Sequence, residues 1–230
     1  MTRRLILWDI DGTLVRSGLV GSDVFGQAVE QVLGTRPQTH VILSGKTDRQ
    51  IVEEYLAQEG SEDPAHIPAV LDRLEQEFAR QVGRIAAEGS PCLGGEAALR
   101  NLGGVAGVEQ TVLTGNIAPN ALLKLAAFGL DRYLDLEVGA YGIEHSDRRS
   151  LLPLAWKRQR ELRGIDYHPH ETWIVGDTPR DLECARAGAA HCLLVATGRH
   201  DFAELEALGP DSALKDLSDT RLVVDTLTAA

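Results

Sequence analysis

The chain has 230 residues, 43% of them hydrophobic and 25% charged, the proportions of a protein that buries a full core, which excludes extensive disorder. Thirty-four acidic against 23 basic side chains give a net charge of -11, a field that repels a nucleic-acid backbone and an anionic membrane alike. Cys92, Cys184 and Cys192 leave one thiol unpaired in any disulfide scheme and show no CxxC spacing, which fits a reducing compartment.

No signal-peptide core precedes the first apolar run, and no stretch is long and apolar enough to span a bilayer, so the expected location is the cytoplasm. Residues 5–8 are uniformly apolar and lead into Asp9 and the Asp11-Gly12 turn, the pattern of a strand buried on both faces. Similar runs recur at 111–113 before Thr114-Gly115, at 172–175 before Gly176-Asp177, and at 191–195 before Thr197-Gly198. Helical stretches are expected over 118–128, 151–162 and 179–187, with Pro179 in a first turn that tolerates it.

This alternation predicts an α/β fold with a doubly wound parallel sheet. Residues 19–90 interrupt it. Ile67, Val70, Leu71, Leu74, Phe78, Val82 and Ile85 recur at helical spacing, and Thr47 with Gln50 form a capping-box pair ahead of Ile51. The expected organisation is therefore a core of residues 1–18 and 91–230 with a helical cap, 19–90, inserted after the first strand, between hinges at 17–21 and 90–95.

In open α/β sheets ligands bind beyond the carboxyl ends of the strands. If the strands are neighbours, Asp9, Asp11, Asp177 and Asp181 converge there beside Thr114 and Asn116. Such a cluster needs a cation. Oxygen donors without histidine or cysteine suit a hard divalent ion, and Mg2+ is the usual one where phosphate completes the shell. One carboxylate can then attack phosphorus while a second exchanges a proton with the leaving oxygen and with water.

Asp9-Ile10-Asp11-Gly12-Thr13 resembles motif I of the haloacid dehalogenase superfamily, and Thr114-Gly115-Asn116 and Gly176-Asp177 with Asp181 resemble motifs II and IV. A helical insert between the first two resembles the cap of the phosphoglycolate-phosphatase-like branch. The resemblance implies Asp9 as nucleophile and Mg2+ ligand, and Asp11 as general acid/base that ligates through its backbone carbonyl. It further implies Thr114 on a phosphoryl oxygen, Gly115 and Asn116 against the substrate, Asp177 on the metal, and Asp181 supporting that shell.

The family's basic residue, usually a lysine followed by proline, has no direct counterpart. Arg148 at the entrance of the helix before motif IV is the first choice, with Arg149 and Lys124 as alternatives; Lys124 reads equally as a solvated mid-helix residue. In the insert, Gly45-Lys46-Thr47 is no nucleotide-binding loop, because His40 stands where the first glycine is required. Gly45-Lys46-Thr47-Asp48 resembles a segment of similar phosphatases, a resemblance that implies reach to the substrate's leaving group, and Lys46 is either a substrate contact or a solvated neighbour of a helix cap. His168 and His170 form a possible but weak ligand pair.

The reading is a Mg2+-dependent phosphatase acting on a small phosphorylated metabolite, phosphoglycolate-like, through a phospho-Asp9 intermediate, with no nucleic-acid or membrane partner. The alternatives are a phosphosugar mutase of the same superfamily and a non-enzymatic binding module on this fold. The sequence names no protein partner.

Overall fold

The first strand, β1 (Arg4–Trp8), is wholly buried and feeds two cores at once. The side chains of Ile6 and Trp8 point to one face of the sheet and those of Leu5 and Leu7 to the other, as the two-residue period of a strand requires. The computed structural model describes residues 3–18 and 20–229, the Ser22 side chain apart. Leu19, within the expected first hinge, lies outside the described residues.

After β1 come the short strand β2 (Val15–Arg16) and three helices, α1 (Val20–Leu33), α2 (Asp48–Gln58) and α3 (His66–Glu88). Then follow β3 (Ser90–Pro91), α4 (Gly95–Leu102), β4 (Val108–Val112), α5 (Ala118–Ala126), α6 (Leu151–Arg158), β5 (Thr172–Gly176), α7 (Pro179–Ala187), β6 (His191–Val195), α8 (Phe202–Ala207), β7 (Ser212–Leu214) and α9 (Thr220–Thr228). The main sheet is parallel throughout, in the order β4-β1-β5-β6-β7. Trp8 is in register with Val112 and Val175, so β1, β4 and β5 end side by side.

Apolar residues of α4, α5 and α9 cover one face of the sheet, while those of α6, α7 and α8 cover the other. This is the doubly wound arrangement. Burying both faces removes the polar alternation an exposed strand would show, which is why β1, β5 and β6 read as largely apolar runs.

The helices between β2 and β3 hold a separate apolar cluster that includes Val24, Ile51, Tyr55, Leu74 and Phe78, closed from the sheet side by Ile117. β2 and β3 pair antiparallel and bring the two chain crossings together. Along α3 the predicted stripe holds except at Val82, which is 38% exposed. The predicted capping box forms by half: Thr47 Oγ1 accepts from Gln50 N at 3.1 Å, but the Gln50 amide donates to Glu54 instead of turning back.

The helix predicted over 151–162 runs regularly to Arg158 and then widens into a π turn, Gln159–Arg163. β7 is only partly buried and carries no apolar run, so periodicity did not reveal it. Among the described residues no helix is long and apolar enough to cross a membrane. All three cysteines are buried free thiols.

Candidate active site

The end of β1 makes a tight turn in which the Ile10 carbonyl accepts from the N–H groups of Leu14 and Val15, both at 2.9 Å. Ile10 is buried in the core, so Asp9 and Asp11, one residue to either side, both emerge at the sheet's carboxyl edge. There they line a cavity of about 340 Å3 between the sheet and the inserted helices. Gly115, Asn116, Lys124, Arg148, Asp177 and Lys46 line it as well.

Asp9 is 4% exposed. Arg148 Nη2 stands 3.1 Å from its Oδ1 and 2.6 Å from Asp181 Oδ1, and donates to the Leu113 carbonyl at 3.3 Å. Burial pushes the Asp9 carboxyl up to about 6, against the pull of Arg148, and the Asp181 and Asp11 charges add to the rise. Burial also disfavours the Arg148 charge, but Asp181 and Asp9 outweigh it. Removing one member of such a buried set leaves an uncompensated charge, which costs about 3–5 kcal/mol.

Asp11 is held differently. Lys124 Nζ lies 2.7 Å from its Oδ2, Asn116 Nδ2 donates to the same oxygen at 2.8 Å, and Ser17 Oγ donates to Oδ1 at 2.6 Å. Burial by itself would raise this carboxyl; Lys124, by charge and hydrogen bond, together with Ser17 and Asn116, outweighs it and holds Asp11 below the usual carboxylate range. Its side chain keeps 43% exposure to the cavity, so the surroundings desolvate it only in part. Lys124 Nζ also donates to Asn116 Oδ1 at 2.6 Å and lies 5.0 Å from the Phe78 ring centroid, buried rather than solvated.

Thr114 is fully buried, its Oγ1 accepting from the Asn116 amide at 2.8 Å. The Gly115 carbonyl accepts from Asp48 N at 2.7 Å. Asp177 accepts from Thr13 Oγ1 at 3.2 Å, and burial, Asp9 and Asp181 raise its carboxyl well above the ordinary value. Two glycines make room for it: a Cβ on Gly12 would fall 2.3 Å from Asp177 Oδ2, and one on Gly198 would fall 1.7 Å away.

Asp9, Asp177 and Asp181 can each present one oxygen within 4.8 Å of the others. This all-oxygen donor set fits a hard divalent cation, which would relieve the repulsion that raises Asp9 and Asp177. Asp181 is the least free of the three. Its Oδ1 holds Arg148, and its Oδ2 accepts from Thr178 N at 3.0 Å and Oγ1 at 2.7 Å at the start of α7.

A family model for haloacid dehalogenase-like hydrolases matches residues 6–186, and a second, for related hydrolases, matches 153–220. The chain belongs to the haloacid dehalogenase-like hydrolases.

Solved structures share this hydrolase fold at low identity. A predicted phosphatase from Clostridium acetobutylicum is 18% identical with a TM-score of 0.71, covering 98% of this chain and 100% of that one. A predicted phosphoglycolate phosphatase from Haemophilus somnus is 19% identical with a TM-score of 0.66, covering 97% and 98%. A putative beta-phosphoglucomutase from Bacteroides vulgatus is 16% identical with a TM-score of 0.70, covering 98% and 88%. No curated protein matches.

Within the hydrolase site, Arg148 reaches Asp9 and Arg149 does not. The turn Arg148–Ser150 sends the two side chains apart, and Arg149 folds onto Asp147 through Nε and Nη2, at 2.9 and 2.7 Å, on the exposed side. Arg149 is therefore removed from the substrate-binding candidates. Lys46 lines the cavity, with its ammonium paired to Glu54. His168 and His170 stack on each other ahead of β5, at the opposite end of that strand from Asp177. Asp48, which the sequence placed in the Gly45-Lys46-Thr47-Asp48 segment without a role of its own, is a buried carboxylate that lines the cavity at the start of α2.

Proposed function

We propose that the protein is a divalent-metal-dependent phosphatase that hydrolyses a small soluble phosphomonoester through a phospho-Asp9 intermediate. The observation that carries this reading is the separation of two carboxylates two residues apart: Asp9 on Arg148, Asp11 on Lys124, Asn116 and Ser17. Two such groups in one cavity with different partners suit different tasks.

Asp9, with one oxygen steadied by Arg148, attacks phosphorus as the bond to the leaving oxygen breaks. Asp11 gives its proton to the departing alkoxide. In the second half, Asp11 takes a proton from water, the water oxygen attacks phosphorus, and the acyl-phosphate bond breaks to regenerate Asp9 and release inorganic phosphate. Asn116 fixes Asp11, and Thr114, buried behind the cavity lining, steadies Asn116. Asp9, Asp177 and the Asp11 carbonyl, with Asp181 behind them, would hold Mg2+, whose charge offsets the repulsion between phosphoryl oxygens and carboxylates when bound.

To act as an acid Asp11 must carry a proton, and the Lys124 contact opposes that. The negative charge of an arriving phosphoryl group raises the Asp11 carboxyl and so favours the protonated form. The insert, residues 19–90, serves as the cap that excludes bulk water from the cavity. A small soluble phosphomonoester as substrate suits a cytoplasmic enzyme.

Phosphate release from a panel of small esters, with Mg2+ and with chelator, tests the reading. Metal-dependent release is expected. Interconversion of sugar-phosphate isomers without free phosphate would instead identify a mutase, and no turnover of either kind would favour a binding module.

A further inference from the structure

Asp48 opens α2 on the cap side of the cavity and is 5% exposed. Its N–H donates to the Gly115 carbonyl at 2.7 Å, and its Oδ2 accepts from Ile117 N at 2.8 Å. Oδ1 has no hydrogen-bond partner among the described residues. Around it the insert presents a largely apolar wall of Phe25, Leu43, Ile51 and Phe78. A carboxylate oxygen that faces the cavity beside such a wall gains a partner when the bound substrate brings a donor to it.

The cavity's cations are mostly engaged. Lys46 is paired with Glu54, Lys124 with Asp11, and Arg148 with Asp9 and Asp181. Arg16 and Arg199 lie on the other side, by the loop after β6, where Arg16 donates to the Thr197 carbonyl at 2.7 Å. An anionic group on the substrate's alcohol would therefore stand beside Asp48 with no unengaged cation on the insert's wall.

At about 340 Å3 the cavity is at the small end for ligand pockets, a size that suits a phosphoryl group on a short alcohol. Resting on the phosphatase reading, we propose that Asp48 is the specificity residue for the leaving group. It selects esters whose alcohol carries a hydroxyl or ammonium donor, and it rejects those whose alcohol carries a carboxylate or a second phosphate. This reverses the phosphoglycolate-like expectation drawn from the sequence.

The test compares kcat/KM at pH 8, above the value of about 7 to which burial lifts the Asp48 carboxyl, for glycerol phosphate, phosphoethanolamine, phosphoglycolate and p-nitrophenyl phosphate in the wild-type protein and in Asp48→Asn. Asparagine keeps the shape and an oxygen for the Ile117 N–H. The wild type is expected to prefer at least one of the two donor-bearing esters to phosphoglycolate by tenfold or more, and Asp48→Asn to shrink that ratio by about tenfold, the scale of a hydrogen bond to a charged group. Which donor ester leads distinguishes a hydroxyl from an ammonium.

Phosphoglycolate as the better wild-type substrate would overturn the proposal. So would an Asp48→Asn variant that slows every ester by one common factor, since a purely structural role leaves the ratio intact. Failure of the wild type to release phosphate from any ester, p-nitrophenyl phosphate included, would instead overturn the phosphatase reading beneath it.

Discussion

The Arg148 guanidinium lies 3.1 Å from Asp9 Oδ1, with both side chains buried. Its other carboxylate partner, Asp181, caps α7, so one cation ties the proposed nucleophile to the helix that carries motif IV. Arg148→Ala should lower kcat by at least a hundredfold, because Asp9 loses its orienting charge. It should also destabilise the fold by about 3–5 kcal/mol by leaving buried carboxylates unpaired. Arg148→Lys should fall between, keeping the charge but not the fork. Arg149→Ala, which breaks only an exposed local pair, should leave stability close to that of the wild type. Steady-state kinetics and denaturant titrations check all three.

Lys124 holds Asp11 in its ionised form. Lys124→Met removes the largest opposing charge, so the Asp11 carboxyl should rise, and the acidic limb of the pH–rate profile, where protonation of Asp11 blocks its role as base in the second half, should move to higher pH. An unchanged limb would show that Asp11 is not the group being titrated.

Asp177 occupies the space between Gly12 and Gly198. Gly198 needs no left-handed backbone, so Gly198→Ala isolates the contact: its Cβ would stand 1.7 Å from Asp177 Oδ2. The carboxylate must move, and the Mg2+ concentration for half-maximal activity should rise at least tenfold. Titration of activity against Mg2+ reads this directly.

Burial lifts the Asp48 carboxyl to about 7, opposed by the Lys124 charge and the Ile117 N–H and assisted by Asp11. Unfolded, the group titrates near its ordinary value of about 4. Between these values the folded state binds the extra proton, so this group's contribution to stability falls as pH rises through that window. Asp48→Asn should therefore gain on the wild type by about 1–3 kcal/mol at pH 8 relative to pH 5. Thermal melts at both pH values, in chelator, check the sign.

The sheet edge was readable because three buried strands end in polar residues, and a carboxylate at the end of an apolar strand has few purposes other than a cation. Arg148 and Arg149 could not be separated with certainty, since neighbouring residues at a helix entrance share composition and spacing and differ only in the direction the turn gives them. Lys124 could be read either as a site cation or as a solvated residue, because helical position alone does not reveal that Phe78 of the inserted helices covers it. The burial of Asp48 was hidden for a related reason: its carboxylate meets Ile117, and no local pattern reports a contact across 69 residues.

The most direct measurement is a rapid-quench experiment with a phosphoryl-labelled ester and Mg2+, followed by mapping of the label on the protein. The account predicts transient label on Asp9 in the wild type and none, with phosphate release lost, in Asp9→Asn. Undiminished release by Asp9→Asn, or label carried by another residue, would contradict it.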